Sequence, residues 1–168
     1  MKVMNPLFSI ATLLFSLLVL PASEAREQEL QENRAKWEDM AWEDYAFNIQ
    51  QRSNLPAPFS ANLRVQVYQN QVGSVFCGDQ DVTQDVTQVP GTVPTILELF
   101  DRLQLELNAS YFDVTYDELY GSPANVIIDP DQEISDEELD IGVSNVVQCT
   151  CHMHEHNHHG LICRCSEG

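Results

Sequence analysis

All five histidines and four of the five cysteines of this 168-residue chain lie between Cys149 and Cys165. The segment runs Cys149-Thr150-Cys151-His152-Met153-His154-Glu155-His156-Asn157-His158-His159-Gly160-Leu161-Ile162-Cys163-Arg164-Cys165. Two Cys-x-Cys pairs therefore bracket a histidine-rich loop. In an antiparallel hairpin centred on Asn157, Cys149 faces Cys165 and Cys151 faces Cys163. Residues two apart share a face, so all four sulfurs point the same way. Facing Cα atoms in such a ladder lie about 4.5–5.5 Å apart, within reach of a disulfide or a shared metal.

Two chemistries fit this spacing. Four thiolates bind Zn²⁺ tetrahedrally, and neutral imidazoles add to the set or substitute in it. Alternatively, oxidation gives two cross-strand disulfides, Cys149–Cys165 and Cys151–Cys163. Those would hold a loop whose imidazoles take Zn²⁺, Ni²⁺ or Cu²⁺ unaided. A polar tail without chemistry is the plainest third reading. The expectation carried forward is a transition-metal site, zinc first, drawn from Cys149, Cys151, His152, His154, His156, His158, His159, Cys163 and Cys165.

Other constellations are weaker. Cys77 stands alone, and no histidine outside the tail could activate it; a packed side chain at a strand end is expected. Asp129, Asp131, Glu133, Asp136, Glu137, Glu138 and Asp140 crowd into twelve positions. A calcium loop read from Asp129 would put Ile134 where glycine is needed and Asp140 where a bidentate glutamate sits, so a solvated acidic turn is expected. No hydrolase triad can form without a histidine elsewhere. P-loop, dinucleotide and Gly-x-Ser-x-Gly patterns are absent from the sequence. Asn108-Ala109-Ser110 is a glycosylation sequon, relevant in a eukaryotic host. The expectation is a protein that is not an enzyme.

Acids outnumber bases 26 to 8, a net charge of −18. That charge disfavours nucleic acid and anionic lipid as partners, because both need a cationic surface. The N-terminus reads as an export signal. Lys2 precedes an apolar run, Leu7 to Leu20, and Ser23-Glu24-Ala25 offers small residues on either side of Glu24 for a cut after Ala25. The run is too short for a spanning helix. Residues 1–25 are therefore expected to be removed, leaving a secreted or periplasmic protein with no membrane attachment. About 140 residues remain, enough for one core.

The elements that would position the tail follow from periodicity. Leu30, Trp37 and Ala41 fall at helical spacing within Glu27 to Asp44, with Trp42 beside them. Tyr45, Phe47 and Ile49 alternate as a strand. Leu63, Val65 and Val67 alternate again, and Gln69-Asn70 reads as a turn into Val72–Phe76. Gly78 to Gly91 holds a tandem Asp-Val-Thr-Gln repeat and reads as an exposed loop. Val93, Ile96, Leu97, Phe100, Leu103 and Leu107 trace one helical face, with Thr92 as N-cap, Pro94 in the first turn and Asn108 at the end. Phe112, Val114 and Tyr116 form a fourth strand and Val126 to Ile128 a fifth. Leu139, Ile141, Val143 and Val147 share one parity in a sixth, and Cys149 and Cys151 continue it.

The order is helix, three strands, helix, three strands. An α+β fold is expected, an antiparallel sheet of about six strands with both helices on one face, plus the C-terminal Cys/His-rich hairpin. The divisions are residues 1–25 as signal, 26–148 as the domain and 149–168 as the tail.

Trp42 to Val147 also resembles a bacterial exported domain family of unknown function. The resemblance rests on Asp44-Tyr45-Ala46-Phe47, Val65-Gln66-Val67, Thr92-Val93 with Leu99-Phe100, and above all Tyr116-Asp117-Glu118-Leu119-Tyr120-Gly121-Ser122-Pro123. Ile127-Ile128-Asp129 and Asp136-Glu137-Glu138 follow it. That family usually carries a Cys-x-Cys pair just after its first strand, where this chain has Arg52-Ser53-Asn54, so any role of that pair does not transfer. The resemblance implies export and a small α+β domain, and supplies no reaction. Sequence alone thus points to an exported, non-enzymatic domain whose tail binds a transition metal. The alternative is an exported interaction or inhibitor module with a disulfide-clamped hairpin, whose protein partner the sequence does not name.

Overall fold

The computed structural model describes residues 21–52, 58–88, 93–134, 138–153 and 161–165. Helix α1 spans Ala22–Asp39, a stretch of strong helix formers that buries little except Leu30 and Trp37. It stops five residues short of the expected Asp44. Ala41 takes φ +52° and turns the chain, so that Trp42 comes back edge-on to Trp37 at 5.8 Å. The expected cut after Ala25 falls in the first turn of α1, and residues 1–20 lie outside the described residues.

Strands β1 (Tyr45–Gln51), β2 (Asn62–Tyr68) and β3 (Gln71–Cys77) form an antiparallel meander. Gln69 and Asn70 both take positive φ, +49° and +60°, as a tight hairpin turn requires. The expected exposed loop after Gly78 is structured instead. A two-residue strand β4 (Gln80–Asp81) pairs with β3, and a one-turn helix α2 covers Thr83–Thr87. The reason is the repeat itself. Its four-residue period places Val82 and Val86 one helical turn apart, and both are buried. Asp81 Oδ1 accepts from the Thr83 N–H and hydroxyl, a local turn that leads into α2. Hydrogen bonding to Thr83 holds the Asp81 carboxyl below its ordinary value.

Helix α3 (Ile96–Leu105) begins with a capping box on Thr95. Glu98 N–H donates to Thr95 Oγ1 at 3.2 Å, and Thr95 N–H donates to Glu98 Oε2 at 2.7 Å. The expected cap at Thr92 lies outside the described residues, and the helix starts beyond Pro94. Ile96, Leu99, Phe100 and Leu103 are buried as their spacing demands. Strands β5 (Tyr111–Tyr116), β6 (Pro123–Asp129) and β7 (Leu139–Met153) form a second antiparallel meander, and β8 (Leu161–Cys165) folds back on β7.

The strands join as β4-β3-β2-β1-β7-β6-β5, with β8 on β7, eight among the described residues in place of the expected six. The seam is antiparallel β1–β7. Each half reads last, middle, first strand in the same direction, so the second half follows the first along the sheet. Helices α1, α2 and α3 supply Leu30, Val86 and Ile96 to a single core with Tyr45, Phe47, Ile49, Val126 and Ile141. Two polar bonds lace α1 to α3, Gln31–Gln104 at 2.6 Å and Arg34–Asp101 at 2.7 Å.

The parity expected along β7 breaks at one place. Asn48 faces Ser144 but Ala46 faces Val147, so Asn145 and Val146 together oppose Phe47. Asn145 takes φ +53° in this bulge. A one-residue slip moves every later side chain to the other face. Leu139, Ile141, Val143 and Val146 therefore contribute to the helix-side core. Val147, Cys149 and Cys151 turn to the opposite face, around Ala46.

Candidate functional site

The tail continues β7 without interruption. Its ladder pairs Cys149 with Cys165, Thr150 with Arg164, Cys151 with Cys163, His152 with Ile162 and Met153 with Leu161. This is the expected register, and it closes as two disulfides, Cys149–Cys165 and Cys151–Cys163. The facing Cα atoms lie 3.9 and 4.1 Å apart. Cys149 and Cys151 are buried with Ala46, and Tyr68, Val147, Cys163 and Cys165 pack around them. A small second core thus forms on the face away from the helices, and Arg64 Nη2 reaches to 3.9 Å from Cys165 Sγ.

The zinc expectation is corrected here. A sulfur bonded to sulfur carries no thiolate charge, so Cys149, Cys151, Cys163 and Cys165 are not the soft anionic ligands that zinc takes. Among the described residues, no group of three or more His, Cys, Asp or Glu side chains could hold a metal ion. His154, His156, His158 and His159 lie outside the described residues. His152 is placed by its backbone alone, opposite Ile162. The pairing supports the disulfide-clamped alternative over a transition-metal cofactor.

Asp44 fastens the hairpin to the domain. Its Oδ2 accepts from Cys151 N–H at 2.9 Å, its Oδ1 from Gln69 N–H at 3.0 Å, and its carbonyl from Cys149 N–H at 3.0 Å. One residue thus extends the β1 ladder past its end and ties the β2–β3 turn to the root of the hairpin. Nothing in composition or periodicity signals this role; only the position of Asp44, one residue before β1, could have hinted at it.

The Tyr116–Pro123 element proves to be architecture. Tyr116 stacks on Phe100 at 6.2 Å. Asp117 Oδ1 accepts from the N–H groups of Leu119 and Tyr120 at 2.9 and 2.7 Å. Tyr120 packs on Trp42 at 5.0 Å. Gly121 has φ +76°, and a Cβ there would sit 2.5 Å from the Asn33 carbonyl oxygen, so α1 can approach only glycine. Ser122 and Pro123 are buried. Burial drives the Tyr116 hydroxyl well above its ordinary range.

Tyr45, read from the sequence as a strand residue and as part of the family resemblance, has a specific duty. Its buried hydroxyl accepts from Ile96 N–H at 3.1 Å, filling one of the open donors at the start of α3. Burial pushes its pKa up to about 12, opposed by bonds to Ile96 and Thr95. Cys77 is a free thiol packed half-buried against the core, as expected of a strand-end side chain. Within the acidic run, Asp131 Oδ1 accepts from Glu133 N–H at 3.0 Å, a local turn, and residues 135–137 lie outside the described residues. Arg52 occupies the place of the missing Cys-x-Cys pair. It bonds Asp140 at 3.0 Å and Asn125 at 3.1 Å, passing over Gly142.

An open cleft of about 370 Å³ lies where the hairpin leaves the sheet. Its walls come from the α1–β1 corner (Ala41 to Asp44), the β2–β3 turn (Tyr68, Gln69) and β7 (Gln148 to Cys151). Among the described residues no helix is long and apolar enough to cross a membrane. The two disulfides are typical of extracellular or periplasmic proteins.

Neither the curated proteins nor the solved structures contain a match to this chain. Residues 29–148, well over half of the chain, match the model of a family of unknown function, DUF6174, and the match ends at the residue before Cys149. The chain therefore belongs to that family, and the clamped hairpin lies beyond the matched residues.

Proposed function

We propose that this protein is an exported, non-enzymatic interaction module that docks on a partner through its disulfide-clamped C-terminal hairpin. The observation that carries the reading is the pair of cross-strand disulfides rooted on Asp44. A two-stranded hairpin alone is marginal in water. Two covalent staples and a polar anchor give it a fixed shape, and a fixed shape lowers the ordering cost of binding.

Export through the Met1–Ala25 segment, with Arg26 as the new N-terminus, is part of this reading. Arg26 suits that place. Its Nη1 donates to the Leu107 carbonyl at 3.1 Å, and its guanidinium lies 5.2 Å from the Phe112 ring centre. The start of α1 thus stays tied to the domain after a cut. The absence of a reaction is supported by how the family-like residues are used: Tyr116, Asp117, Tyr120 and Gly121 hold packing and turns.

The test compares the full oxidised chain with a chain ending at Gln148, both exposed to the secreted or periplasmic fraction of the source cells. The expected result is one stoichiometric partner held by the full chain, released by reductant and absent from the shorter chain. A partner held equally by both would refute the docking role. N-terminal mass spectrometry should show Arg26 first; a retained Met1 would refute export by this signal.

A further inference from the structure

We propose that the protein dimerises by antiparallel pairing of β5 with β5 of a second copy, the two-fold axis passing at Val114. Among the described residues the sheet ends at β4 on one side and β5 on the other. Strand β4 is two residues long, too short to template another strand. Strand β5 runs six residues, Tyr111–Tyr116, and β6 is its sole paired neighbour among the described residues. It carries no lysine, arginine or proline to discourage a further strand. This edge is separate from the hairpin, so the pairing stands or falls independently of the docking role.

Strand alternation fixes which backbone groups are open. Arg52 N–H donates to the Asp140 carbonyl at 2.8 Å, so Asp140 turns its backbone to β1. Successive residues turn theirs to opposite sides. Leu139 and Ile141 therefore bond their β6 partners Ile128 and Val126, and Tyr111, Asp113 and Thr115 bond Asp129, Ile127 and Asn125. Phe112, Val114 and Tyr116 are left with their N–H and C=O groups directed outward. A second observation marks the same edge. The side chains of these three residues pack on the helix-side core yet are only half-buried, while Val126 and Ile128 beside them are fully buried. The core is unfinished along this flank.

A second β5 completes it. Residues directly opposite in an antiparallel pair share a face. With Val114 on the axis, Phe112 lies opposite Tyr116 of the second copy, two half-covered apolar rows become one, and about six backbone hydrogen bonds form. On the solvated face Asp113 lies opposite Thr115 of the second copy. Moving the axis one residue either way loses bonds and sets acids opposite each other, Asp113 against Asp113 or Asp113 against Asp117. Like charges so placed are destabilising, which selects Val114 as the centre. Each copy carries −18, so the two repel at long range and the dimer tightens as salt screens that field.

The test is sedimentation equilibrium of the full oxidised chain, in a Cys77→Ser background so that the free thiol makes no covalent link. A monomer–dimer equilibrium is expected, with Kd below about 0.3 mM at about 0.5 M salt and weaker association at about 0.1 M. Thr115→Asp alters an exposed side chain, sets an acid pair on each side of the axis and should weaken the dimer about tenfold. Thr115→Lys should tighten it about threefold. Asn62→Asp adds the same charge at an exposed position on β2, four strands from β5, and should change Kd less than about twofold. A Kd above about 0.3 mM at the higher salt overturns the proposal. So does equal weakening by Thr115→Asp and Asn62→Asp, or a dimer that Thr115→Lys weakens.

Discussion

The two faces of the sheet are held by different physics. Among the described residues, three helices and the strands bury twenty-one side chains in a single cluster on one face. On the other, one alanine and four half-cystines with two neighbours make a core of seven residues. The first face gains its stability from apolar area removed from water, at about 25 cal/mol per Å². The second buries too little for that and relies on covalent closure by two nested disulfides, at sequence separations of 12 and 16; the inner loop contributes about 3 kcal/mol by loop entropy, and the outer bond closed around it adds less. The Asn145 bulge is the switch between the two, because it sends one strand to serve both faces. What the difference teaches is that the domain should tolerate loss of the hairpin, while the hairpin should not tolerate loss of its disulfides.

The largest expected break is on the helix side. Phe100 is fully buried and stacks on Tyr116, so Phe100→Ala should cost about 4 kcal/mol in urea unfolding. The disulfides should still form, as a free-thiol count would show.

Tyr45 sharpens the comparison through pH. Its folded-state pKa, raised to about 12, lies above the ordinary value of 10.0, so the fold favours the neutral phenol. Its contribution is fully present below pH 10 and is lost as pH rises from about 10 to 12, by about 3 kcal/mol in all. Tyr45→Phe should remove that part of the alkaline loss, read as a shallower fall of unfolding free energy between pH 9.5 and pH 11.

Asp44 joins the faces, so Asp44→Ala should cost about 2 kcal/mol by leaving the Gln69 and Cys151 amides without acceptors. Amide exchange should rise at the hairpin root and the β2–β3 turn more than in β5 or β6. The smallest effect is at Ala41, exposed and at φ +52° just past α1. Ala41→Gly should stabilise by about 0.5 kcal/mol, because glycine enters that region without penalty.

Much of this was legible in the sequence. Period-two alternation located Tyr45–Ile49, Leu63–Val67 and Phe112–Tyr116, because half-buried strands leave that pattern. Symmetric spacing of Cys149, Cys151, Cys163 and Cys165 gave their register. Four features were hidden for physical reasons. The Asn145 bulge depends on a local backbone conformation that adds no hydrophobic signal. The Asp-Val-Thr-Gln repeat is too short and too polar for a helix to stand out, although Val82 and Val86 are spaced for one. The redox state of four cysteines depends on their surroundings, so the same spacing suited zinc and disulfides alike. Asp44 acts through backbone amides far away in sequence, which no local pattern encodes.

The claim that the hairpin is a covalently held element on a self-sufficient domain is tested most directly by hydrogen exchange with and without reductant. The account predicts that reduction abolishes protection of the amides of Thr150–Met153 and Ile162–Cys165, leaving β1, β5 and β6 as protected as before. Hairpin protection that survives reduction, or β1, β5 and β6 losing theirs together with it, would contradict the account.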